Sequence, residues 1–328
     1  MKPFSKMPAE TVAHLGEIAL LQAIRGWLGD VSPPSPHGIG DDCAVLDLHG
    51  ASSTLATVDG VVYGRHFDDS APPASVGAKL LKRNLSDIAA MGGIPKHALV
   101  HLTIGCNLST AWIKKFYTGL AQCCREFGVT LAGGGTAQGP DDVFAADLTL
   151  LGTAGPKVLL RTGAQIGDAI FVTGDLGGSI FGKHLDFTPR LAEGQWLAKH
   201  SGVRALIDVT DGLAKDLPAI LPKNADARLH TSTLPISYAA KKLARRDRQS
   251  ALLHALTDGE DYELLFAVNA SADWKSFTKS WKKSFQTPLT QIGVIAPALQ
   301  KRPDRQLREA ATGQLLLPAG KQGFEHLR

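Results

Sequence analysis

Asp42, Asp59, Asp87, Asp208, Asp211 and Glu260 all fall at or beside the expected ends of elements, most of them next to glycine. Acids gathered at one site raise each other's pKa, and they stay ionised together only when cations share the charge. An oxygen-only set without histidine or cysteine partners suits Mg²⁺, which binds through a few carboxylates, water and phosphate oxygens. The chemistry implied is phosphoryl transfer from a nucleotide.

The stretch Asn84-Leu85-Ser86-Asp87-Ile88-Ala89-Ala90-Met91-Gly92-Gly93 organises the set. Leu80, Leu81, Leu85 and Ile88 share one side of a helical wheel, and Lys79, Arg83 and Asp87 step by four along a separate stripe. Asp87 is therefore expected to point away from the core. A carboxylate in the last turn of a helix opposes the dipole, so it asks for a compensating cation. The Gly-Gly pair marks the helix stop.

The other acids sit on recognisable punctuation. Gly38-Ile39-Gly40-Asp41-Asp42 leads into the apolar strand 43–46, and the strand 54–58 is expected to end at Asp59. His66 follows in a loop able to face a ligand. Periodicity predicts helices over 11–28 and 110–127 and strands over 98–104, with His101 on the more polar face, and 147–152. Between them, Gly133-Gly134-Gly135-Thr136 reads as a backbone-amide cradle for phosphate, although it lacks the Gly-Lys-Ser/Thr of a P-loop. Gly155-Pro156 marks a boundary between an N-terminal domain, 1–155, and a C-terminal α/β domain, 156–328. In the second half a strand ends in Asp208, Thr210 or Asp211 is expected to cap a helix, and Asp258-Gly259-Glu260-Asp261-Tyr262-Glu263 enters the strand 264–268.

Composition excludes several classes. With 44% hydrophobic and 20% charged residues the 328-residue chain is expected to be globular, and no segment reaches the roughly 20 apolar residues of a bilayer span. The net charge of +4 is spread along the chain, so nucleic acid is not implied, and the basic runs 241–248 and 275–283 read as solvated helix faces. Four cysteines without C-x-x-C or zinc spacing fit a reducing compartment, and the N-terminus has no apolar signal region. A cytoplasmic protein is expected.

Five motifs in this order resemble the thiamine-monophosphate kinase family: Gly38-Ile39-Gly40-Asp41-Asp42, Asp59 to Phe67, Asn84-Leu85-Ser86-Asp87 with Ala89-Ala90-Met91-Gly92, Asp208-Val209-Thr210-Asp211-Gly212-Leu213, and Gly259-Glu260-Asp261-Tyr262-Glu263-Leu264. The resemblance runs to a final Gly323-Phe324-Glu325-His326. It implies an α/β (α+β) two-domain architecture like that of aminoimidazole ribonucleotide synthetase. In that architecture the N-terminal sheets of a homodimer join into a barrel and a C-terminal α/β domain closes the site. It also implies ATP as co-substrate, thiamine monophosphate as acceptor, several Mg²⁺ ions and a possible monovalent cation requirement.

By position, the resemblance assigns Asp42, Thr57, Asp59, Asp87, Asp208 and Asp211 to metal, with Asp42, Asp59, Asp87 and Asp211 the catalytic set. It assigns Tyr117, Gly134, Gly135, Thr136, Arg161 and Thr210 to ATP, and His66, Glu260 and Phe324 to the thiamine phosphate pocket. Three positions depart from the family pattern. Gly135 stands where a metal-binding Asp is expected, Gln138 where an Arg is expected, and Val58 within the Ser-Thr-Asp strand end. The missing carboxylate at Gly135 leaves two alternatives: a related kinase with another acceptor, or a nucleotide or thiamine phosphate binding protein with impaired catalysis.

Overall fold

The computed structural model describes residues 53–299 and 305–317, together with 34–37, 40–46 and scattered positions nearer the N-terminus. Most of the expected helix 11–28, and Phe324, lie outside the described residues.

The N-terminal half is a five-stranded sheet with two helices against one face. Its strands are β1 (Ala44–Leu46), β2 (Thr54–Val62), β3 (Ile94–Ile104), β4 (Thr130–Gln138) and β5 (Phe144–Thr153), in the order β1-β2-β5-β3-β4. Helix α1 (Pro73–Ala90) begins with proline at its first position, where no intrahelical N–H is required, and stops before Gly92-Gly93 as expected. Its apolar stripe, Leu80, Leu81, Leu85 and Ile88, is fully buried. Helix α2 (Thr110–Phe127) is capped by Ser109, whose hydroxyl accepts from the Trp112 amide, and ends on left-handed Gly128. The two helices lie so close that a methyl at Gly77 would overlap the carbonyl of Phe116, and one at Gly119 the carbonyl of Ala74.

Two expectations change here. Asp59 does not end a strand: β2 pairs with β5 over nine consecutive positions, Thr54 to Val62, so Asp59 lies mid-strand. The glycine run 133–135, which separates two expected elements in the sequence, forms the interior of edge strand β4, paired parallel with β3. Glycine is required because a side chain at Gly134 would run into the backbone of Val100. Strands β3 and β5 also extend beyond the expected 98–104 and 147–152.

The C-terminal half carries a six-stranded sheet, order β11-β8-β10-β6-β9-β7, built from β6 (Ala169–Thr173), β7 (Val203–Asp208), β8 (Ala225–Leu229), β9 (Leu264–Val268), β10 (Leu289–Pro297) and β11 (Leu307–Glu309). Its central strands β6 and β9 are buried at every position, as their unbroken apolar runs require. Its longer helices are α3 (Leu191–Leu197), α4 (Leu213–Ile220), α5 (Tyr238–Asp247), α6 (Ala251–Thr257) and α7 (Trp274–Ser284), with short helical turns at Ser179–Phe181, Lys183–Asp186 and Thr231–Thr233. The basic runs lie as expected on solvated faces of α5 and α7, the latter burying Phe277 and Trp281. No helix among the described residues is long and apolar enough to cross a membrane.

Neither expected cap of α4 is used. Gly212 occupies the cap position, with φ near +106°, and the carboxylate of Asp216 reaches back to accept from the amides of Thr210, Asp211 and Gly212. One buried acid inside the helix thus fixes the backbone that carries Thr210 and Asp211.

Candidate active site

The two halves enclose a cleft of about 790 Å³, lined from the N-terminal side by Asp42, Thr57, Asp59, His66, Arg83 and Asp87 and from the C-terminal side by Arg161, Thr210, Asp211 and Glu260. At its floor, Asp42 and Asp87 line the cleft with buried Asp208 just beneath, and carboxylate oxygens of the three lie within 4.8 Å of one another. Three elements far apart in sequence bring them there: the loop before β1, the last turn of α1 and the end of β7.

Each acid of the trio is held by a specific donor. Thr57 Oγ1 donates to Asp87 Oδ2 at 2.6 Å, and Ser86 Oγ donates to Asp208 Oδ2 at 2.5 Å. Arg161 reaches Asp42 Oδ1 through Nη2 at 2.9 Å and Oδ2 through Nε at 3.2 Å, while its backbone amide donates to Asp41. Burial, then the neighbouring carboxylates, pushes Asp87 well above the usual carboxyl range, and burial with Asp42 raises Asp208 to about 8. Such a set is poised to take a cation: it is all oxygen and close-packed, and a bound cation would let its crowded acids ionise together, which suits Mg²⁺.

The stripe Lys79–Arg83–Asp87 leaves the apolar face of α1 as expected, and its cations are buried against other elements. Lys79 is fully buried; its ammonium lies 2.6 Å from Glu260 Oε1 and donates to the His66 carbonyl. Arg83 grips both oxygens of Asp59, at 2.6 and 2.8 Å, and lies 3.7 Å from Glu260. Asp211 pairs with Lys215 at 2.8 Å. The His66 ring sits beside these cations; burial, then Arg83, lowers its pKa to about 4, so it is neutral at pH 7. Its Nδ1 accepts the Val62 amide at 3.0 Å, which places the ring proton on Nε2.

Glu260 is carried on a constrained segment. Both Glu260 and Tyr262 have positive φ, near +53° and +50°, a region costly for residues with a Cβ. The strain is held from both sides. Asp261 accepts the Gly177 amide, and buried Glu263 accepts from Thr173, Arg190 and Lys183.

The expected ATP set divides. Arg161 and Thr210 line the cleft, whereas Tyr117, Gly134, Gly135 and Thr136 line a separate open groove of about 450 Å³ along β4. Sequence reasoning did not assign Lys79, Arg83, Ser86 and Asp216 to the site. Only the four-residue step of Lys79 and Arg83 from Asp87 signalled two of them.

The profile of the AIR synthase related protein, N-terminal domain, family matches residues 40–154. A thiamine-monophosphate kinase of Rhodopirellula baltica is 40% identical over 297 residues, 85% of this chain and 89% of that protein. The chain belongs to the thiamine-monophosphate kinase family. The backbone agrees with other solved structures of thiamine-monophosphate kinases and their relatives. AaThiL complexed with AMPPCP and TMP superposes with a TM-score of 0.79 at 25% identity, covering 99% of this chain and all of that one. The thiamine-monophosphate kinase of Stenotrophomonas maltophilia K279a gives 0.68 at 31% identity, covering 92% and 98%. The expected two-sheet α+β architecture is thus the architecture of this phosphotransferase family. The described sheet of a single chain is open, not a closed barrel.

Proposed function

We propose that this protein transfers the γ-phosphoryl group of ATP to thiamine monophosphate, giving thiamine diphosphate and ADP, by direct Mg²⁺-assisted in-line transfer. The observation that carries the reading is the Asp42–Asp87–Asp208 trio at the floor of a cleft shared by both halves, in a chain 40% identical to a thiamine-monophosphate kinase.

Asp42, Asp87 and Asp208 would hold Mg²⁺, with Thr57 orienting Asp87 and Asp211 a further oxygen donor on the cleft wall. Bound there, the ion supplies positive charge to phosphate oxygens that the acidic cleft would otherwise repel. Arg161, one-third exposed at its side chain, is the arginine able to turn from Asp42 toward a nucleotide phosphate. The acceptor phosphate monoester, with a second pKa near ~6, is largely dianionic at neutral pH and needs no general base. Neutral His66 offers an Nε2 donor, and Glu260 offers a carboxylate to the cationic ring of the acceptor. Phe324 is assigned to the same pocket.

A homodimer fits the same reading. Val58, Leu99 and Leu131 are exposed on the N-terminal sheet, at 65%, 45% and 38%, a face that a second copy would cover. Tyr117, Gly134, Gly135 and Thr136 would meet nucleotide along that interface. We assign residues 1–155 to this nucleotide-binding and dimerisation domain, residues 156–328 to the closing domain, and the protein to the cytoplasm.

The test is product analysis after incubation with ATP, Mg²⁺ and thiamine monophosphate. Thiamine diphosphate forms with the native chain and falls by at least ~100-fold in Asp87→Asn, as expected for loss of a metal-holding charge. Absence of product from the folded native chain refutes the acceptor assignment.

A further inference from the structure

Asp59 differs from the trio in what already occupies it. Its Oδ2 accepts from Arg83 Nε at 2.6 Å, and its Oδ1 accepts from Arg83 Nη2 at 2.8 Å and from the Gly60 amide at 2.8 Å. Three of the roughly four acceptor sites of the carboxylate are therefore taken, two of them by a fork-shaped pair, the geometry in which guanidinium and carboxylate bind best.

The cation on the other side is confined. The Arg83 side chain is 9% exposed, and its only other carboxylate neighbour among the described residues is Glu260 at 3.7 Å, already engaged by Lys79 at 2.6 Å. Were Asp59 to turn toward a metal ion, Arg83 would be a buried guanidinium sharing one carboxylate with a buried ammonium. Uncompensated buried charge is strongly unfavourable. Asp42 and Arg161 make a similar fork, but there the arginine side chain is 32% exposed and can move to solvent or substrate. The arginine of the Asp59 fork, at 9%, has far less freedom to move.

We infer that Asp59 is not a metal ligand in this protein: it anchors Arg83, which stands in the cleft as a resident cation and does for that carboxylate what a metal ion does for the Asp42–Asp87–Asp208 trio. The inference rests on the metal-dependent reading of the cleft. It makes Arg83 a positioning residue with two tasks. It neutralises Asp59 without an ion, and it shares Glu260 with Lys79, so that the pocket wall keeps its charge balance before any substrate enters.

The experiment counts bound Mn²⁺ per chain by electron paramagnetic resonance, with a non-hydrolysable ATP analogue present, in the native protein, Asp59→Asn and Asp87→Asn. The expected result is a lower count in Asp87→Asn and the native count in Asp59→Asn. Because Asp59→Asn leaves Arg83 without its anion and can destabilise the fold, the double variant Asp59→Asn/Arg83→Met is counted as well. It removes both charges together and is expected to melt above Asp59→Asn and keep the native count. Loss of an ion in either variant carrying Asp59→Asn overturns the inference. An unchanged count in Asp87→Asn instead overturns the metal reading beneath it, so the two failures are told apart.

Discussion

Ser86 Oγ donates to Asp208 Oδ2 at 2.5 Å, tying the last turn of α1 to the end of β7 across 122 residues of sequence. One hydroxyl thus joins the two halves at the floor of the cleft and fixes one acid of the trio. Ser86→Ala leaves the buried carboxylate without its donor. With Mg²⁺ bound and Asp208 ionised, the expected cost is about 1.5–3 kcal/mol, the range for a hydrogen bond to a charged group, read as a lower Tm. The half-saturating Mg²⁺ concentration is expected to rise about 10-fold, as when a ligand loses its supporting partner. A melt and a metal titration on the same sample check both, and an unchanged Mg²⁺ requirement would remove Ser86 from the site.

Protonation gives the second prediction. Asp208 and Asp261 are each raised to about 8, chiefly by burial, and burial also lifts Asp87 and Asp216 well above 3.8. Between roughly pH 4 and pH 8 the folded chain therefore holds more protons at these groups than the unfolded chain does, so their contribution to stability falls as pH rises. Without metal, the Tm is expected to climb on acidification from pH 8.5 to pH 6, at most on the order of 1 kcal/mol per pH unit for each group. Mg²⁺ reverses the share due to Asp87 and Asp208, since it binds their ionised forms and gains affinity with pH. Thermal melts across that range, with Mg²⁺ and with a chelator, decide it; parallel curves would contradict the assignment.

Helix packing gives a third. The close approach of α1 and α2 exists because Gly77 and Gly119 have no side chains to meet the opposing carbonyls. Gly119→Ala pushes the helices apart and is expected to destabilise by about 1–3 kcal/mol despite the better helix propensity of alanine. Denaturant unfolding should show a lower midpoint, and an unchanged one would mean that the contact is not tight.

Some of the site was legible in the sequence and some was not, for definite reasons. The trio acids could be picked out because each sits beside an element boundary, and the α1 stripe because its period is helical. Asp59 was expected at a strand end since Gly60 reads as a stop. Gly60 instead continues β2, and a methyl there would strike the Asp147 side chain. That glycines 133–135 form a strand was not legible because local composition cannot show that Val100 comes close enough to exclude a side chain. The roles of Lys79 and Arg83 were hidden for the same reason: their partners His66, Asp59 and Glu260 belong to other elements, Glu260 lying in the other half of the chain. The Asp216 cap was missed because it acts backward from inside its own helix.

The strained segment of Glu260 supports the last prediction. Glu263, with a side chain 1% exposed, is held by Arg190 at 2.8 Å through both Nε and Nη2, with Lys183 at 3.0 Å and Thr173 at 2.7 Å. These donors keep its carboxyl below the usual range against the effect of burial. Arg190→Met removes the larger cation and leaves Lys183 alone to neutralise a buried acid, at an expected cost of about 3–5 kcal/mol. Glu263 anchors the residues just before β9, so the positive-φ turn at Glu260 and Tyr262 should relax with it. Because Glu260 is assigned to the acceptor and Arg161 to the nucleotide, KM for thiamine monophosphate is expected to rise several-fold while KM for ATP stays near native. Steady-state kinetics below the melting temperature of the variant separate the two constants. An equal rise in both would show that Arg190 supports the fold in general and not the acceptor wall.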